Sequence, residues 1–124
     1  MAYKLLIVDD EVELTSWLKQ YFELKGFNVF TCPSGEEAIT LVRNENPDVV
    51  VLDMLLKGKL DGVDVLKEAR ETNPALKVVM CTGSDTPAEE KEILKIGVSS
   101  YLRKPVTVGD LHKAVNEALA GKTN

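Results

Sequence analysis

Cysteine and histidine are too scarce in this chain to suggest a zinc site. Two cysteines and one histidine occur among 124 residues, and they form neither a CxxC pair nor a cluster. We interpret Cys32 and Cys81, which both end apolar segments, as buried reduced thiols, because small disulfide-bonded proteins carry many more cysteines. His112 is interpreted as a surface residue beside the apolar face of the last helix.

Basic residues and long apolar runs are also in short supply. Lys and Arg number 15 against 20 Asp and Glu, and the net charge of −5 argues against binding nucleic acid phosphates through a basic face. The run Leu5–Val8 before the first acidic residues is too short for a signal peptide or a membrane span. We therefore expect a cytoplasmic protein that contacts neither nucleic acid nor membrane directly.

Short apolar segments alternate with segments of helical period along the whole chain. The apolar segments do not alternate with polar residues, which is typical of parallel strands that are covered on both faces. Ser34, Thr86 and Thr107 have the positions of helix N-caps. We predict a single α/β domain over residues 1–124, with five strands and five helices. The first helix is expected to carry one apolar stripe: Leu14, Trp17, Leu18, Tyr21 and Phe22.

Reactive polar groups follow four of the predicted strands. They are three carboxylates, a hydroxyl and an amine: Asp9, Asp10, Asp53, Thr82 and Lys104. Because the carboxyl ends of parallel strands meet at one edge of a sheet, we expect these groups to share that rim. Carboxylates so close together repel one another unless a cation lies between them, and Mg²⁺ prefers such oxygen ligands. A metal, an amine and a hydroxyl around Asp53 are suited to holding a phosphoryl group, which Asp53 can accept as an aspartyl phosphate.

The chain resembles the response regulator receiver domains (CheY-like) of two-component signalling over essentially its whole length. Five motifs carry the resemblance: Val8-Asp9-Asp10-Glu11, Leu52-Asp53, Asp61-Gly62, Thr82-Gly83 and Tyr101-Leu102-Arg103-Lys104-Pro105. The resemblance implies a doubly wound, flavodoxin-like sheet with five parallel strands in the order 2-1-3-4-5 and five flanking helices.

The resemblance also implies how the phosphoryl group is handled. Asp53 is the expected phosphoacceptor, and Thr82 and Lys104 are expected to hold phosphoryl oxygens. The donor is expected to be the phosphohistidine of a sensor histidine kinase or of a histidine phosphotransfer protein. The domain would catalyse its own phosphorylation and dephosphorylation and turn over no external substrate. A cis peptide bond is expected between Lys104 and Pro105, although few X-Pro bonds in folded proteins are cis.

A metal site is implied by the same resemblance. Mg²⁺ (or Mn²⁺) is expected to bind Asp10 and Asp53 directly, Asp9 through a water molecule, and the backbone carbonyl of Leu55. These ligands precede the point where the chain departs from many receivers, so we expect the metal site to be retained.

The segment after Asp53 departs from the common receiver pattern. Lys57 stands where many receivers have proline, and Gly62 comes one residue late, as in a glycine-containing variant of this loop. We further hypothesise that Leu55 and Ser84 flank the path of the water that hydrolyses the aspartyl phosphate. An apolar residue at position 55 would then slow hydrolysis.

Phosphorylation is expected to change the surface formed by the fourth helix, the fifth strand and the fifth helix. The Thr82 hydroxyl would move toward the phosphoryl oxygens, and Tyr101 would rotate into the space behind it; the alternative is that Tyr101 simply stays at the surface. An unknown downstream protein would bind this surface. We interpret its basic residues as scattered solvated charges: Lys91, Lys95, Arg103 and Lys113.

The main competing hypothesis is a receiver-like protein-interaction module that acts without phosphorylation. It would share the fold but not use the acceptor. Nothing in the residues favours it, because every expected catalytic position is filled.

Overall fold

A computed structural model describes residues 2–83 and 86–121. Strands and helices alternate along the chain: β1 (Lys4–Val8), α1 (Val12–Leu24), β2 (Asn28–Cys32), α2 (Gly35–Glu45), β3 (Val49–Asp53), α3 (Gly62–Thr72), β4 (Lys77–Thr82), α4 (Pro87–Ile96), β5 (Ser100–Arg103) and α5 (Val108–Leu119). The strands form one parallel sheet in the order β2-β1-β3-β4-β5. The predicted doubly wound α/β fold is therefore confirmed.

Two apolar layers cover the faces of the sheet. Leu6 and Val8 of β1 pack in the layer formed with α2, α3 and α4. Leu5 and Ile7 pack in the layer formed with α1 and α5. Successive residues of a strand point to opposite faces. Each inner strand must therefore be apolar at nearly every position, which explains the continuous runs in the sequence.

The helix starts lie where the capping residues predict them. The side chains of Ser34 and Thr107 each accept a backbone N–H from the third residue beyond them, at the start of α2 and α5. Asp61 with Asp64, and Thr86 with Glu89, form reciprocal capping boxes at the start of α3 and α4. No helix in the described part of the chain is both long and apolar enough to cross a membrane.

Two side chains depart from the positions that helical periodicity predicts. Trp17 is 53% exposed although it shares a stripe with the buried Leu18 and Phe22, because it lies at the border of that stripe and stacks on Tyr21 at 5.8 Å. His112, expected at the surface, is half-buried on α5 where that helix faces α1. Its Nδ1 lies 2.8 Å from the Tyr21 hydroxyl, and its ring meets Phe22 edge-on at 5.4 Å.

The segment between β3 and α3 is closed by a close backbone approach at Gly62. The Gly62 N–H donates to the Met54 carbonyl at 2.8 Å. A Cβ on Gly62 would lie 2.5 Å from the carbonyl oxygen of Asp53 and 2.8 Å from the Cα of Met54. Both of these atoms belong to the backbone at the end of β3, so a side chain at this position would displace Asp53.

We predict that Gly62→Ala destabilises the protein, because the added methyl group overlaps backbone that cannot rotate away. The free energy of unfolding, measured by urea denaturation, should fall by about 1–3 kcal/mol. Gly109→Ala on α5 is the matched control, because a Cβ there meets its nearest atom at 3.9 Å. The control should leave stability unchanged or slightly raised. Equal stabilities for the two variants would contradict the prediction.

Candidate functional site

The register of the sheet aligns the polar strand ends on one rim. Val8 of β1 pairs with Leu52 of β3, so the next residues, Asp9 and Asp53, lie side by side. Asp53 pairs with Cys81 of β4, which Thr82 follows. Thr82 pairs with Arg103 of β5, which Lys104 follows. The expectation that these strand ends share one edge of the sheet is therefore confirmed.

Three carboxylates form a compact cluster at this rim. Asp9, Asp10 and Asp53 each offer an oxygen, and these oxygens all lie within 4.8 Å of one another. Asp9 and Asp53 are buried and Asp10 is half-buried. An all-carboxylate set with a partly open side fits a hard divalent cation such as Mg²⁺, which also keeps water ligands. Leu55 is the second residue after the end of β3, and it is 56% exposed.

Lys104 reaches across the rim to the buried acids. Its Nζ lies 3.1 Å from Asp9 Oδ2 and 3.3 Å from Asp53 Oδ2. The backbone of the lysine is anchored separately, because its N–H donates to the Thr82 carbonyl at 2.7 Å. The Lys104–Pro105 peptide bond is cis, as the resemblance implies. The Lys104 ammonium thus lies between two of the acids of the site.

Burial and neighbouring charges shift the pKa values of Asp53 and Lys104. Burial raises the pKa of Asp53, and the nearby charge of Asp9 raises it further, while Lys104 opposes both effects. Burial alone would lower the pKa of Lys104. The hydrogen bond to Asp9 and the charges of Asp53 and Asp9 outweigh that effect and raise it. The lysine is therefore firmly protonated.

The switch hypothesis concerns two residues, Thr82 and Tyr101, and the structure gives their positions without a phosphoryl group. Thr82 ends β4 and is 1% exposed. Tyr101 is half-buried, packs against the layer of α2, α3 and α4, and pairs in register with Met80 of β4. The guanidinium of Arg103 lies 5.4 Å from the centre of the Tyr101 ring. The tyrosine is thus partly packed against the core, and the switch itself stays a hypothesis.

The basic residues of the α4–β5–α5 surface are exposed, and one of them is paired with an acid. Arg103 forms an ion pair with Glu90 of α4. Lys91, Lys95 and Lys113 are exposed on their helices. This arrangement agrees with scattered solvated charges.

Ser84, the other residue expected beside the path of the hydrolytic water, lies outside the described residues.

An apolar cavity beside the acids was not predicted from the sequence. It has a volume of about 270 Å³ and lies between α1 and the segment that leads into α5. Trp17, Cys81 and Val106 are among its apolar walls, and Asp53 and Lys104 lie at its polar end. Burial raises the pKa of the Cys81 thiol to about 12, which supports the interpretation of an unreactive cysteine. No signal in the sequence pointed to this cavity, because periodicity placed Trp17 on the apolar stripe of α1 and its exposure depends on tertiary packing.

This chain is similar in sequence to known proteins of one family. The profile of the response regulator receiver domain matches residues 5–116. The alkaline phosphatase synthesis transcriptional regulatory protein PhoP of Bacillus subtilis is 34% identical over 119 residues, which cover 96% of this chain and 49% of that protein. The sporulation initiation phosphotransferase F of B. subtilis is 30% identical over 124 residues, 100% of this chain and 99% of that protein.

The solved structures agree with these relatives. The crystal structure of a CheY-like response regulator receiver domain protein from Methanospirillum hungatei JF-1 superposes with a TM-score of 0.93 at 27% identity, and the match covers 98% of this chain and 96% of that one. The chain spans about half the length of PhoP but nearly all of the sporulation phosphotransferase.

We predict that Asp53→Asn stabilises the metal-free protein. The raised pKa means that the ionised carboxylate is less favourable in the folded than in the unfolded chain, so neutral asparagine removes a penalty. In chelator at pH 7, chemical denaturation should show a higher free energy of unfolding for Asp53→Asn than for the unchanged protein. The gain should disappear as the pH falls below the ordinary value of 3.8, where the aspartic acid is neutral in both states.

The control for this prediction is Asp48→Asn, directly before the start of the same strand. Asp48 is exposed, and its Oδ2 accepts the backbone N–H of Lys4, which asparagine can also do. Its stability should stay close to that of the unchanged protein at both pH values. An Asp53→Asn protein that is less stable than the parent at pH 7 would contradict the electrostatic explanation.

Proposed function

This chain belongs to the response regulator receiver domain family of two-component systems, and we propose that it accepts a phosphoryl group on Asp53. The proposed donor is the phosphohistidine of a sensor histidine kinase or of a histidine phosphotransfer protein. The observation that supports this most strongly is the position of Lys104 Nζ, 3.3 Å from a carboxylate that also has two acids beside it. We propose the whole of residues 1–124 as the receiver domain, with cytoplasmic location.

The proposed reaction is a phosphoryl transfer between two side chains. A carboxylate oxygen of Asp53 attacks the phosphorus, while the P–N bond of the donor breaks and the imidazole leaves with that electron pair and takes up a proton. The Lys104 ammonium balances the charge on the phosphoryl oxygens, and the Thr82 hydroxyl donates a hydrogen bond to one of them. Hydrolysis by water later returns Asp53 to the carboxylate.

Asp10, Asp53 and the carbonyl of Leu55 are the proposed direct ligands of Mg²⁺ or Mn²⁺, with Asp9 bound through water. The ion, when bound, supplies positive charge that offsets the charge of the phosphoryl oxygens. The compact cluster of carboxylate oxygens supports this assignment. Because Lys104 is hydrogen-bonded to Asp9 as well as Asp53, its ammonium must release part of this pairing to contact a phosphoryl oxygen.

The proposed output is a population shift on the α4–β5–α5 surface. Phosphorylation adds strong acceptors beside Thr82, at the end of β4. Movement of that hydroxyl opens space on the side where Tyr101 packs, and rotation of the tyrosine changes the surface offered to a downstream protein. An interaction module that never uses its acceptor is not favoured, since the curated relatives are response regulators and the catalytic positions are filled.

Phosphorylation should be detectable without the natural donor. In Mg²⁺ and a small acyl phosphate, intact-protein mass spectrometry should show the gain of one phosphoryl group that hydroxylamine removes, as expected for an acyl phosphate. Asp53→Asn should abolish the gain, and Asp48→Asn should retain it. An unchanged gain in Asp53→Asn would refute the assignment of the acceptor. No gain in the unchanged protein, in which the acceptor is intact, would favour the interaction module.

The residue at position 55 is expected to control the lifetime of the aspartyl phosphate. The Leu55 side chain is exposed beside the acceptor, where an amide can position the attacking water and a hydrocarbon cannot. Leu55→Asn should shorten the half-life several-fold, measured as the loss of phosphoryl mass after donor removal. Leu55→Met is the control and should keep the parental half-life. Equal half-lives for Leu55→Asn and the parent would refute this hypothesis.

A further inference from the structure

The loop between β3 and α3 is held at its tip by the first turn of α2. Residues 54–61 form this loop, and the hydrogen bond from the N–H of Gly62, the first residue of α3, to the Met54 carbonyl brings its two ends together. In its middle, Lys57 forms an isolated parallel β-bridge with Ser34, the N-cap of α2. The loop tip, residues 57–59, is exposed to solvent but is joined to α2 at its N-cap.

Glu36, in the first turn of α2, contacts this loop tip. Its Oε2 accepts the backbone N–H of Lys59 at 3.3 Å. A Cβ on Gly58 would lie 2.8 Å from Oε1 and 2.9 Å from Oε2 of Glu36. Gly58 also has a φ of +91°, in the region that favours glycine. The carboxylate of Glu36 thus lies directly over the glycine and is bonded to the residue after it.

The loop tip and the metal site are connected through very few residues. Leu55, whose carbonyl is a proposed ligand, lies three residues before Gly58. Its side chain is largely exposed and gives the backbone little packing of its own. The neighbouring Leu56 and Leu60 do pack against the core layer of α2, α3 and α4. Leu56 lies between Leu55 and residues 57–59, so whatever holds residues 57–59 acts on the Leu55 carbonyl through the Leu56 backbone.

We propose that Glu36 is a positioning residue for the metal site. By holding Gly58 and Lys59 against α2, it restricts the loop so that the Leu55 carbonyl faces the acidic cluster. This role deepens the proposed function and rests on it. An oriented carbonyl loses less conformational freedom when an ion binds, so metal affinity is higher with the contact than without it.

A purely local role for Glu36 makes a different prediction. An acid in the first turn of a helix is favoured by the helix dipole, and its removal lowers stability slightly. That effect would lower the melting temperature without altering metal affinity or the mobility of a loop in another part of the sequence. Metal affinity and loop exchange therefore separate the two roles.

The experiment compares Glu36→Ala, Glu36→Gln and the charge control Glu71→Gln. Glutamine keeps an oxygen that can accept the Lys59 N–H, whereas alanine does not. Glu71 is exposed on α3 and lies outside the loop contacts. Isothermal titration with Mg²⁺ should give a dissociation constant about three- to tenfold higher for Glu36→Ala, the scale of one lost hydrogen bond, and within about twofold of the parent for the other two.

Hydrogen–deuterium exchange without metal provides the second readout. Amides of residues 55–60 should exchange several-fold faster in Glu36→Ala than in the parent, while those of the central strands stay unchanged. Unaltered Mg²⁺ affinity in Glu36→Ala would overturn the proposal even if the melting temperature fell. A loss of affinity of the same size in Glu71→Gln would also overturn it, because net charge would then be the cause.

Gly58→Ala provides a second test of the contact between Glu36 and Gly58, because it changes the glycine instead of the glutamate. In the parent the new methyl group meets both the unfavourable φ and the Glu36 carboxylate, whereas in a Glu36→Ala background only the unfavourable φ remains. The loss of Mg²⁺ affinity caused by Gly58→Ala should therefore be larger in the parent background. Equal losses in both backgrounds would refute the contact.

Failure of this proposal can be told apart from failure of the proposed function. If the unchanged protein did not bind Mg²⁺ at all, the metal site and this role of Glu36 would fall together. If the unchanged protein bound Mg²⁺ and accepted a phosphoryl group while Glu36→Ala did so with the same affinity for the ion, only the role of Glu36 would fall.

Discussion

The Nζ of Lys104 lies 3.1 Å from Asp9 and 3.3 Å from Asp53, across the rim where the strands end. Without a cation between them, two buried carboxylates would each lose hydration and repel the other, and one of them would be driven to take up a proton. The lysine reduces that cost but does not cancel it, because the pKa of Asp53 is still raised. The rim is therefore a place where the fold holds unfavourable charge ready for a cation or a phosphoryl group.

The rest of the molecule supports this arrangement by keeping the rim rigid. Two apolar layers bury both faces of the sheet, and each helix but the first begins at a side chain that caps it. The stabilisation from these layers allows the site to keep its acids close together. Gly62 adds a local constraint, because its backbone lies against the carbonyl of Asp53 with no room for a side chain. The acceptor is thus fixed from its strand and from the loop that follows.

The loop after Asp53 is the segment that the sequence predicts to be one residue longer than in many receivers. The additional length is taken up at a glycine with positive φ, and the loop tip lies against α2 instead of over the acids. Asp53 and Leu55 precede this point, so the lengthened part leaves the proposed ligands in place. The apolar cavity on the other side of the acids, beside Trp17, leaves the acceptor bordered by hydrocarbon on that side. The two flanks of the site therefore differ in chemistry.

The continuous apolar runs, the capping residues and the polar groups after Val8, Leu52 and Cys81 were enough to predict the strands, the helices and the rim. These signals are local, since each depends on residues that follow one another in the chain. Tertiary structure alone decided the contact of Glu36 with Gly58, the exposure of Trp17 and the burial of His112. The hydrogen bond of His112 joins it to Tyr21, 91 residues away. Such contacts depend on how helices and loops pack across the sheet, and no periodicity in the sequence encodes which side chains meet there.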